Sequence, residues 1–298
     1  YLAWRNDPSF DFDRFPRAAI EELFPLWMLK YLPNLNACHV GIRRDIRGPT
    51  NTVSVSHVSG LLAVAEAAEV IRRGTADVML AGGAASFLSH TRTAFHRGAR
   101  LAGGDIEPSR ACRPFDRDRR GMVYGEGAAY LVLESRAHAQ ARGAKSLARI
   151  AGAARRCEPS ANDHQFTGVA LRRAIEAALQ NAGVAAQDIG HVNAHGNSTR
   201  EDDPVEAQAI RESLGDVPVT APKSYFGNLN ATSGLVELAV SLIGLQRGFI
   251  PPTLNYETPD DACPVNVVTR PQATTNRTFV AVNHAPTGQA VAVVVDQA

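Results

Sequence analysis

The stretch Ser54-Val55-Ser56-His57-Val58-Ser59-Gly60 runs directly into Leu61-Leu62-Ala63-Val64-Ala65-Glu66-Ala67-Ala68-Glu69. The β-branched and small residues of the first part predict a short strand and a corner, and the Ala/Leu-rich second part predicts a helix. Because Glu66, Glu69 and Arg73 fall at i, i+3 and i+7, only a narrow stripe of that helix is polar. The stretch therefore predicts an α/β fold in which the corner faces the N-terminal end of a buried helix.

The same corner occurs again in the second half of the chain. Ser59-Gly60-Leu61 is followed by Gly74, and Ser233-Gly234-Leu235 is followed at the same distance by Gly248. Both intervening segments have the composition of buried helices. Two strand–corner–helix units that share one core predict a layered α/β/α/β/α fold with a pseudo-two-fold internal duplication.

Composition narrows the class of protein. The chain has 298 residues, is 45% hydrophobic and 20% charged, and carries a formal net charge of +1. No charge excess indicates a nucleic-acid partner, and no apolar run approaches the roughly 20 residues that a membrane span needs. The four cysteines, Cys38, Cys112, Cys157 and Cys263, show no CxxC spacing and predict reduced thiols. We therefore expect a cytoplasmic protein.

Three other segments bear on chemistry. Arg113-Pro114-Phe115-Asp116 leads to Gly125-Glu126-Gly127, but no Lys-Ser/Thr pair and no βα crossover follow, so nucleotide binding is not predicted. The predicted strand 189–194 ends at His195-Gly196-Asn197-Ser198-Thr199, and the second corner is Lys223-Ser224-Tyr225-Phe226-Gly227-Asn228. The last two segments each place polar side chains where a predicted strand ends.

These segments resemble the β-ketoacyl synthases, the condensing enzymes of fatty-acid and polyketide synthesis in the thiolase-like superfamily. In that family the first corner reads Ala-Cys-x-Ser/Thr-Gly, and the Cys carries the growing acyl chain, whereas His57 stands at this position here. The resemblance implies a thiolase-like fold in two halves that form one compact ketosynthase domain. The halves would be residues 1–150, with the first part of the domain missing, and residues 151–298.

The resemblance also implies site residues. His195 matches the first catalytic His of the family, and Lys223 matches its Lys. Asn228 stands where elongating ketosynthases have a second His, although initiating ketosynthases use an Asn there. Glu237 matches a buried Glu that supports the Lys. We therefore expect the catalytic site to consist of His57, His195, Asn228 and Lys223.

Three further residues match substrate contacts of the family. The Thr-Ser-Thr that holds the phosphopantetheine arm is Asn197-Ser198-Thr199 here, which makes Asn197 and Thr199 candidate substrate-binding residues. The Gly-Phe-Gly-Gly gate aligns with 286–289, so Thr287 replaces the gating Phe and Pro286 replaces a hinge Gly. The expected substrate is linked to phosphopantetheine on an acyl carrier protein or coenzyme A, with no bound cofactor.

His57 decides between the functional alternatives. Acyl-imidazoles hydrolyse readily, so His57 predicts loss of condensation, and the adjacent helix N-terminus favours a neutral ring. In the plainest interpretation the ring fills the volume of a lost Cys. A metal site formed by His57, His195 and His284 is a further alternative, but these residues lack ligand spacing.

Three functions remain open. The first is a non-condensing partner subunit that dimerises with a Cys-containing ketosynthase, as polyketide chain-length factors do. The second is an enzyme that uses His57, His195 and Asn228 for malonyl decarboxylation, acyl transfer or hydrolysis. The third is a module that binds an acyl carrier or lipid without catalysis. We expect the chain to form a homodimer, or a heterodimer with a Cys-containing ketosynthase. Acyl carrier protein is a further expected partner.

Overall fold

The computed structural model describes residues 23–88, 100–159 and 166–296, together with Arg17, Ile20 and Glu21. The chain divides into two compact units, Tyr1–Thr52 and Val53–Ala298. Described residues of the first unit include a 3₁₀ turn and an α-helix. The second unit contains the sheets and both corners. The division into halves at residue 150 stays a prediction.

Three of the helices end close to a glycine. In chain order they are α1 (Leu35–Arg44), α2 (Ser59–Arg72), α3 (Arg136–Ala141), α4 (Val169–Ala182), α5 (Asp202–Leu214), α6 (Lys223–Phe226) and α7 (Ser233–Gln246). Gly74, Gly183 and Gly248 follow α2, α4 and α7 with positive φ, the conformation in which a glycine ends a helix at least cost.

The described residues of the second unit form three sheets. Their strands are β1 (Val78–Ser86), β2 (Glu126–Glu134), β3 (Arg149–Cys157), β4 (His191–Asn193), β5 (Pro218–Thr220), β6 (Phe249–Ile250), β7 (Asn266–Val267), β8 (Gln272–Ala273), β9 (Phe279–His284) and β10 (Gln289–Asp296). The largest sheet has the order β3-β10-β9-β4-β5-β7, while β1 pairs with β2 and β6 with β8. Strands β9 and β10 are antiparallel neighbours. Strand β4 lies parallel to both β5 and β9.

The internal duplication is present in the backbone. A three-residue 3₁₀ turn, Ser56–Val58, precedes the 14 residues of α2, and an equal turn, Asn230–Thr232, precedes the 14 residues of α7. The first residue of each turn has positive φ, 48° at Ser56 and 52° at Asn230. Because a non-glycine residue seldom adopts this conformation, its recurrence marks two copies of one corner.

One prediction about the first corner is wrong. Residues 51–55 belong to no helix or strand among the described residues. The N–H group of Val55 donates to the Ser59 hydroxyl at 2.8 Å, and that hydroxyl donates to the Ser56 carbonyl at 2.7 Å. The Val55 N–H group, which in a strand would bond to a neighbouring strand, here closes the turn before α2.

The apolar core lies on both faces of the large sheet. On β10, Val291 and Val293 pack with α2 and α7 in one cluster, while Ala292 and Val294 pack with α4 and α5 in the other. This alternation follows from the two-residue period of a strand. Helices α2 and α7 thus lie between the large sheet and the β1–β2 pair, as the layered prediction requires.

The outer face of the β1–β2 pair is exposed in the described part of this unit. Val132 on that face is 66% exposed, and no helix formed by described residues of Val53–Ala298 covers it. Four of the five predicted layers are therefore present in this unit's described part. None of the described helices is both long and apolar enough to cross a bilayer.

Candidate functional site

His57 lies in the first corner, where the 3₁₀ turn passes into α2. The side chain is 7% exposed. Its ring stacks on the ring of His195, with centroids 5.3 Å apart and planes inclined by 30°. The imidazole of His57 therefore occupies the space between the start of α2 and His195.

His195 follows β4 and is held through its backbone. The Glu206 carboxylate, on α5, accepts the N–H groups of His195 at 2.6 Å and of Gly196 at 2.8 Å. Gly196 has a φ of 46°, and a Cβ there would lie 2.6 Å from the Cβ of Ala221. The loop after β4 thus has one tightly determined path, which fixes the His195 ring.

Lys223 determines the tautomer of His195. Its Nζ donates to His195 Nδ1 at 2.9 Å, to the His195 carbonyl at 2.6 Å and to the Glu237 carboxylate. The Asn283 amide also donates to His195 Nδ1 at 3.2 Å and to Glu237 at 3.0 Å. Since Nδ1 accepts hydrogen bonds, the proton of a neutral His195 lies on Nε2, which can donate to a substrate oxygen.

Burial sets the electrostatics of this group. Desolvation lowers the pKa of His195 well below its ordinary value, and the charges of Lys223, His284 and His57 lower it further. Burial likewise raises the pKa of Glu237, while the attraction of Lys223 opposes that rise. His195 is thus a neutral donor at physiological pH.

Asn228 lies in the second corner and is occupied by protein contacts. Its amide nitrogen donates to Asn197 Oδ1 at 2.7 Å, and its Oδ1 accepts the Asn230 N–H at 2.7 Å. The N–H group of Gly125 donates to the Asn228 carbonyl at 3.0 Å. A Cβ at Gly125 would lie 2.1 Å from the Phe226 carbonyl, so the glycine-containing segment 125–127 lies directly against this corner.

The other predicted substrate contacts occupy different positions. Thr199 is buried, and its hydroxyl accepts the N–H group of Asp202, the first residue of α5, at 3.1 Å. Thr287 is exposed in the turn between β9 and β10, where its hydroxyl bonds to Gln289. Among the described residues, Thr287 makes no hydrogen bond to the His195 group.

The sequence assigned no role to two residues of the site, Asn283 and Glu206, and it offered a third, His284, only as a metal ligand. Asn283 bridges His195 and Glu237, Glu206 holds the His195 backbone, and the ring of His284 meets that of His195 edge-on at a centroid distance of 4.6 Å. The sequence signal that could have identified these residues is their position relative to the predicted strands and helices. Asn283 and His284 end a buried strand, and Glu206 follows Asp203 by one helical turn.

No cysteine among the described residues replaces a nucleophile at this site. Cys112 lies behind Lys223, and its thiol donates to the Lys223 carbonyl at 3.2 Å. Burial raises the pKa of Cys112 to about 12, so the thiol stays protonated. The described residues also contain no cluster of three His, Cys, Asp or Glu side chains arranged to bind a metal.

Comparison with known proteins identifies the family that the chain resembles. The family model "Beta-ketoacyl synthase, N-terminal domain" matches residues 13–139, and "Beta-ketoacyl synthase, C-terminal domain" matches residues 147–257. A putative polyketide β-ketoacyl synthase 1 from Streptomyces cyaneus is 40% identical over 250 residues. That match covers 80% of this chain and 58% of the relative, so the chain spans less than two thirds of the relative's length.

Solved structures agree with the sequence match. A β-ketoacyl synthase from Burkholderia phymatum superposes with a TM-score of 0.88 at 30% identity, over 97% of this chain and 73% of that one. The ishigamide ketosynthase/chain length factor gives a TM-score of 0.79 at 30% identity, over 87% and 64% of the two chains. The duplicated, layered α/β fold with its site between two corner helices is therefore of the thiolase-like class. Within that class, the chain belongs to the β-ketoacyl synthase family.

Proposed function

We propose that this chain is a non-condensing member of the β-ketoacyl synthase family that acts as a chain-length-factor-like partner subunit in polyketide or fatty-acid synthesis. The observation that carries the proposal is the position of His57. It stands where the family has its acyl-carrying Cys, and its ring stacks on His195.

Two physical arguments support the loss of condensation. An imidazole stores an acyl group poorly, because acyl-imidazoles hydrolyse before a carbon–carbon bond can form. Asn228, at the position of the second catalytic His, already has its amide engaged by Asn197 and Asn230.

The proposed partner is a Cys-containing ketosynthase, and both subunits would work on acyl groups carried by phosphopantetheine on an acyl carrier protein in the cytoplasm. The likeness to a ketosynthase/chain length factor structure supports a heterodimer over a homodimer. Asn197, Thr199 and Thr287 match substrate contacts of the family. In this proposal they receive the phosphopantetheine arm only after the Asn197–Asn228 hydrogen bond and the turn at Thr287 rearrange.

The decisive test is incubation of the protein with malonyl- and acyl-loaded carrier protein, followed by intact-protein mass and by release of free thiol. We expect no acylation, no decarboxylation and no hydrolysis by the wild type. The His57→Cys variant should gain the mass of the acyl group, because only the storage group has been restored. Turnover by the wild type that disappears in His195→Ala would overturn the proposal.

Partner binding has its own test. Co-expression with a Cys-containing ketosynthase of the same family should yield a 1:1 complex on size-exclusion chromatography. Product chain length should then depend on this chain. If the complex forms but product chain length does not depend on this chain, a chain-length-factor role would be contradicted.

A second candidate is an enzyme that decarboxylates, transfers or hydrolyses acyl thioesters. It is favoured by one observation: Lys223, Asn283 and Glu237 still hold His195 as an Nε2–H donor able to stabilise an enolate. Malonyl-thioester turnover lost on His195→Ala would establish it. Tight binding of acyl carrier protein with neither turnover nor a partner subunit would instead indicate a binding module without catalysis.

A further inference from the structure

Strand β3 forms one edge of the large sheet, and β7 forms the other. Strand β7 has only the two residues Asn266–Val267, and Pro264 and Pro271 stand close to its ends. Strand β3 has nine residues, Arg149–Cys157, and contains no proline. Because short length and prolines protect a sheet edge against a further strand, β7 is protected in this way and β3 is not.

The hydrogen bonds of β3 show which of its residues face away from β10. The carbonyl of Ala153 accepts a bond from the Asn181 amide at 2.9 Å, and the carbonyl of Arg155 accepts one from the Arg156 guanidinium at 2.8 Å. The N–H group and the carbonyl of one residue point to the same side of an antiparallel strand. The N–H groups of Ala153 and Arg155 therefore also point outward, as donors beside acceptors that are already used.

A cavity of about 330 Å³ lies along this edge. Its lining includes Ala65 on α2, Ala153 and Ala154 on β3, and Asn181 on α4. Helices α2 and α4 lie on opposite faces of the sheet, since Ala154 packs in the core cluster of α4 and Ala153 in that of α2. The cavity thus continues the layer of the sheet between two helices, where the next strand of the sheet would lie.

The edge carries unpaired positive charge. Arg155 and Arg156 also line the cavity, both are exposed, and neither forms an ion pair within the described part of the chain. Glu69, one helical turn beyond Ala65 on α2, is already paired with Arg72 and Arg73. Two such edges would bring like charges together, so the charge opposes pairing with a second copy and favours an acidic occupant.

We propose that the outward edge of β3, at residues 153–157, is a docking site for an extended acidic segment of a partner protein, which joins the large sheet as a further strand. Carbonyl groups of the segment accept the N–H groups of Ala153 and Arg155, and its carboxylates bind the guanidinium groups of Arg155 and Arg156. This interaction goes beyond the proposed partner function, because β10 separates β3 from β9, the strand that carries Asn283.

The test is a titration of the full ¹⁵N-labelled chain with the peptide acetyl-Glu-Val-Glu-Val-Glu-amide, followed by nuclear magnetic resonance of the backbone amides. We expect the N–H resonances of Ala153 and Arg155 to shift and their exchange with solvent to slow. The double variant Arg155→Glu/Arg156→Glu should bind the peptide about tenfold more weakly, because both charge pairs become repulsive. Arg270→Glu alters an exposed arginine beyond β7, at the other edge, and this matched control should bind like the wild type.

A second variant separates strand addition from simple charge attraction. Ala153→Pro removes an outward N–H group and keeps both arginines, so it should lose binding, and unchanged binding would overturn the proposal. If Ala153→Pro does not fold, as judged by circular dichroism, the arginine variant decides. The proposal is also wrong if the peptide shifts neither amide, or if acetyl-Lys-Val-Lys-Val-Lys-amide binds equally well. Shifts of the same two resonances with protein concentration alone would instead place a second copy at this edge.

Discussion

Gly60 and Gly234 occupy the same position in the two corners, and each lies against the leucine that follows the other. A Cβ on Gly60 would lie 3.0 Å from the Leu235 side chain, and a Cβ on Gly234 would lie 2.7 Å from the Leu61 side chain. The two central helices therefore cross at their glycines. This reciprocal contact is the pseudo-two-fold relationship expressed at single residues.

Substitution at the second glycine should damage the site as well as the fold. A Cβ on Gly234 would also lie 2.1 Å from Asn283 Oδ1, so Gly234→Ala must displace the amide that bonds to His195. We expect a loss of about 1–3 kcal/mol in the free energy of unfolding, measured by urea denaturation. Gly103→Ala is the control, because nothing lies within 4 Å of a Cβ there. Equal stability of the two variants would contradict the packing argument.

Breaking the buried Lys223–Glu237 pair should be costly. Lys223→Met leaves the Glu237 carboxylate buried without its cation, which we expect to cost about 3–5 kcal/mol of unfolding free energy. The double variant Lys223→Met/Glu237→Leu should recover part of that loss. Arg149→Met provides the comparison, because the Arg149 side chain in its pair with Asp296 is 51% exposed and should contribute no more than about 1 kcal/mol. A Lys223→Met variant as mild as Arg149→Met would refute the expectation.

A thiol placed at the first corner should be reactive. In His57→Cys the introduced sulfur adjoins the first N–H groups of α2, which stabilise a thiolate. We expect iodoacetamide to alkylate it at pH 7 at least as fast as the exposed Cys157, with sites located by peptide mass. The buried Cys112, with a pKa raised to about 12, should stay unmodified. An introduced thiol as inert as Cys112 would show that the corner does not activate a nucleophile.

Asp203 should make stability fall as the pH rises. Burial raises the pKa of Asp203 from 3.8 to about 7, so the folded state retains a proton that the unfolded state has already lost. The contribution to the free energy of unfolding is therefore complete below about pH 4 and is lost as the pH rises through about 7.

The measurement is urea denaturation of wild type and Asp203→Asn between pH 4 and pH 8. The stability difference between the two proteins should change in favour of the variant as the pH rises. Asp261→Asn alters an exposed aspartate and serves as the control. Should the two variants show the same dependence on pH, the burial argument for Asp203 would be wrong.

The sequence predicted the two corners and their helices because those features are local. A helix with one polar stripe, a glycine at its end and a small-residue corner are all read from neighbouring residues. The resemblance then singled out six residues. The structure connects His57, His195, Lys223 and Glu237 by ring stacking and hydrogen bonds, and it pairs Asn197 with Asn228 by a hydrogen bond. Thr287 instead lies in a surface turn, because it belongs to the short loop that connects β9 to β10.

The sequence alone could not place residues that meet only through the tertiary structure. It predicted a strand before His57, whereas the Ser59 hydroxyl takes the Val55 N–H group. It gave no role to Asn283 or Glu206 and offered His284 only as a metal ligand. Strands β4 and β9 are parallel neighbours, with His191 opposite Phe279, so their carboxyl ends lie at the same edge of the sheet. That pairing is a long-range contact, and it alone brings His195 beside Asn283 and His284, nearly ninety residues further along the chain.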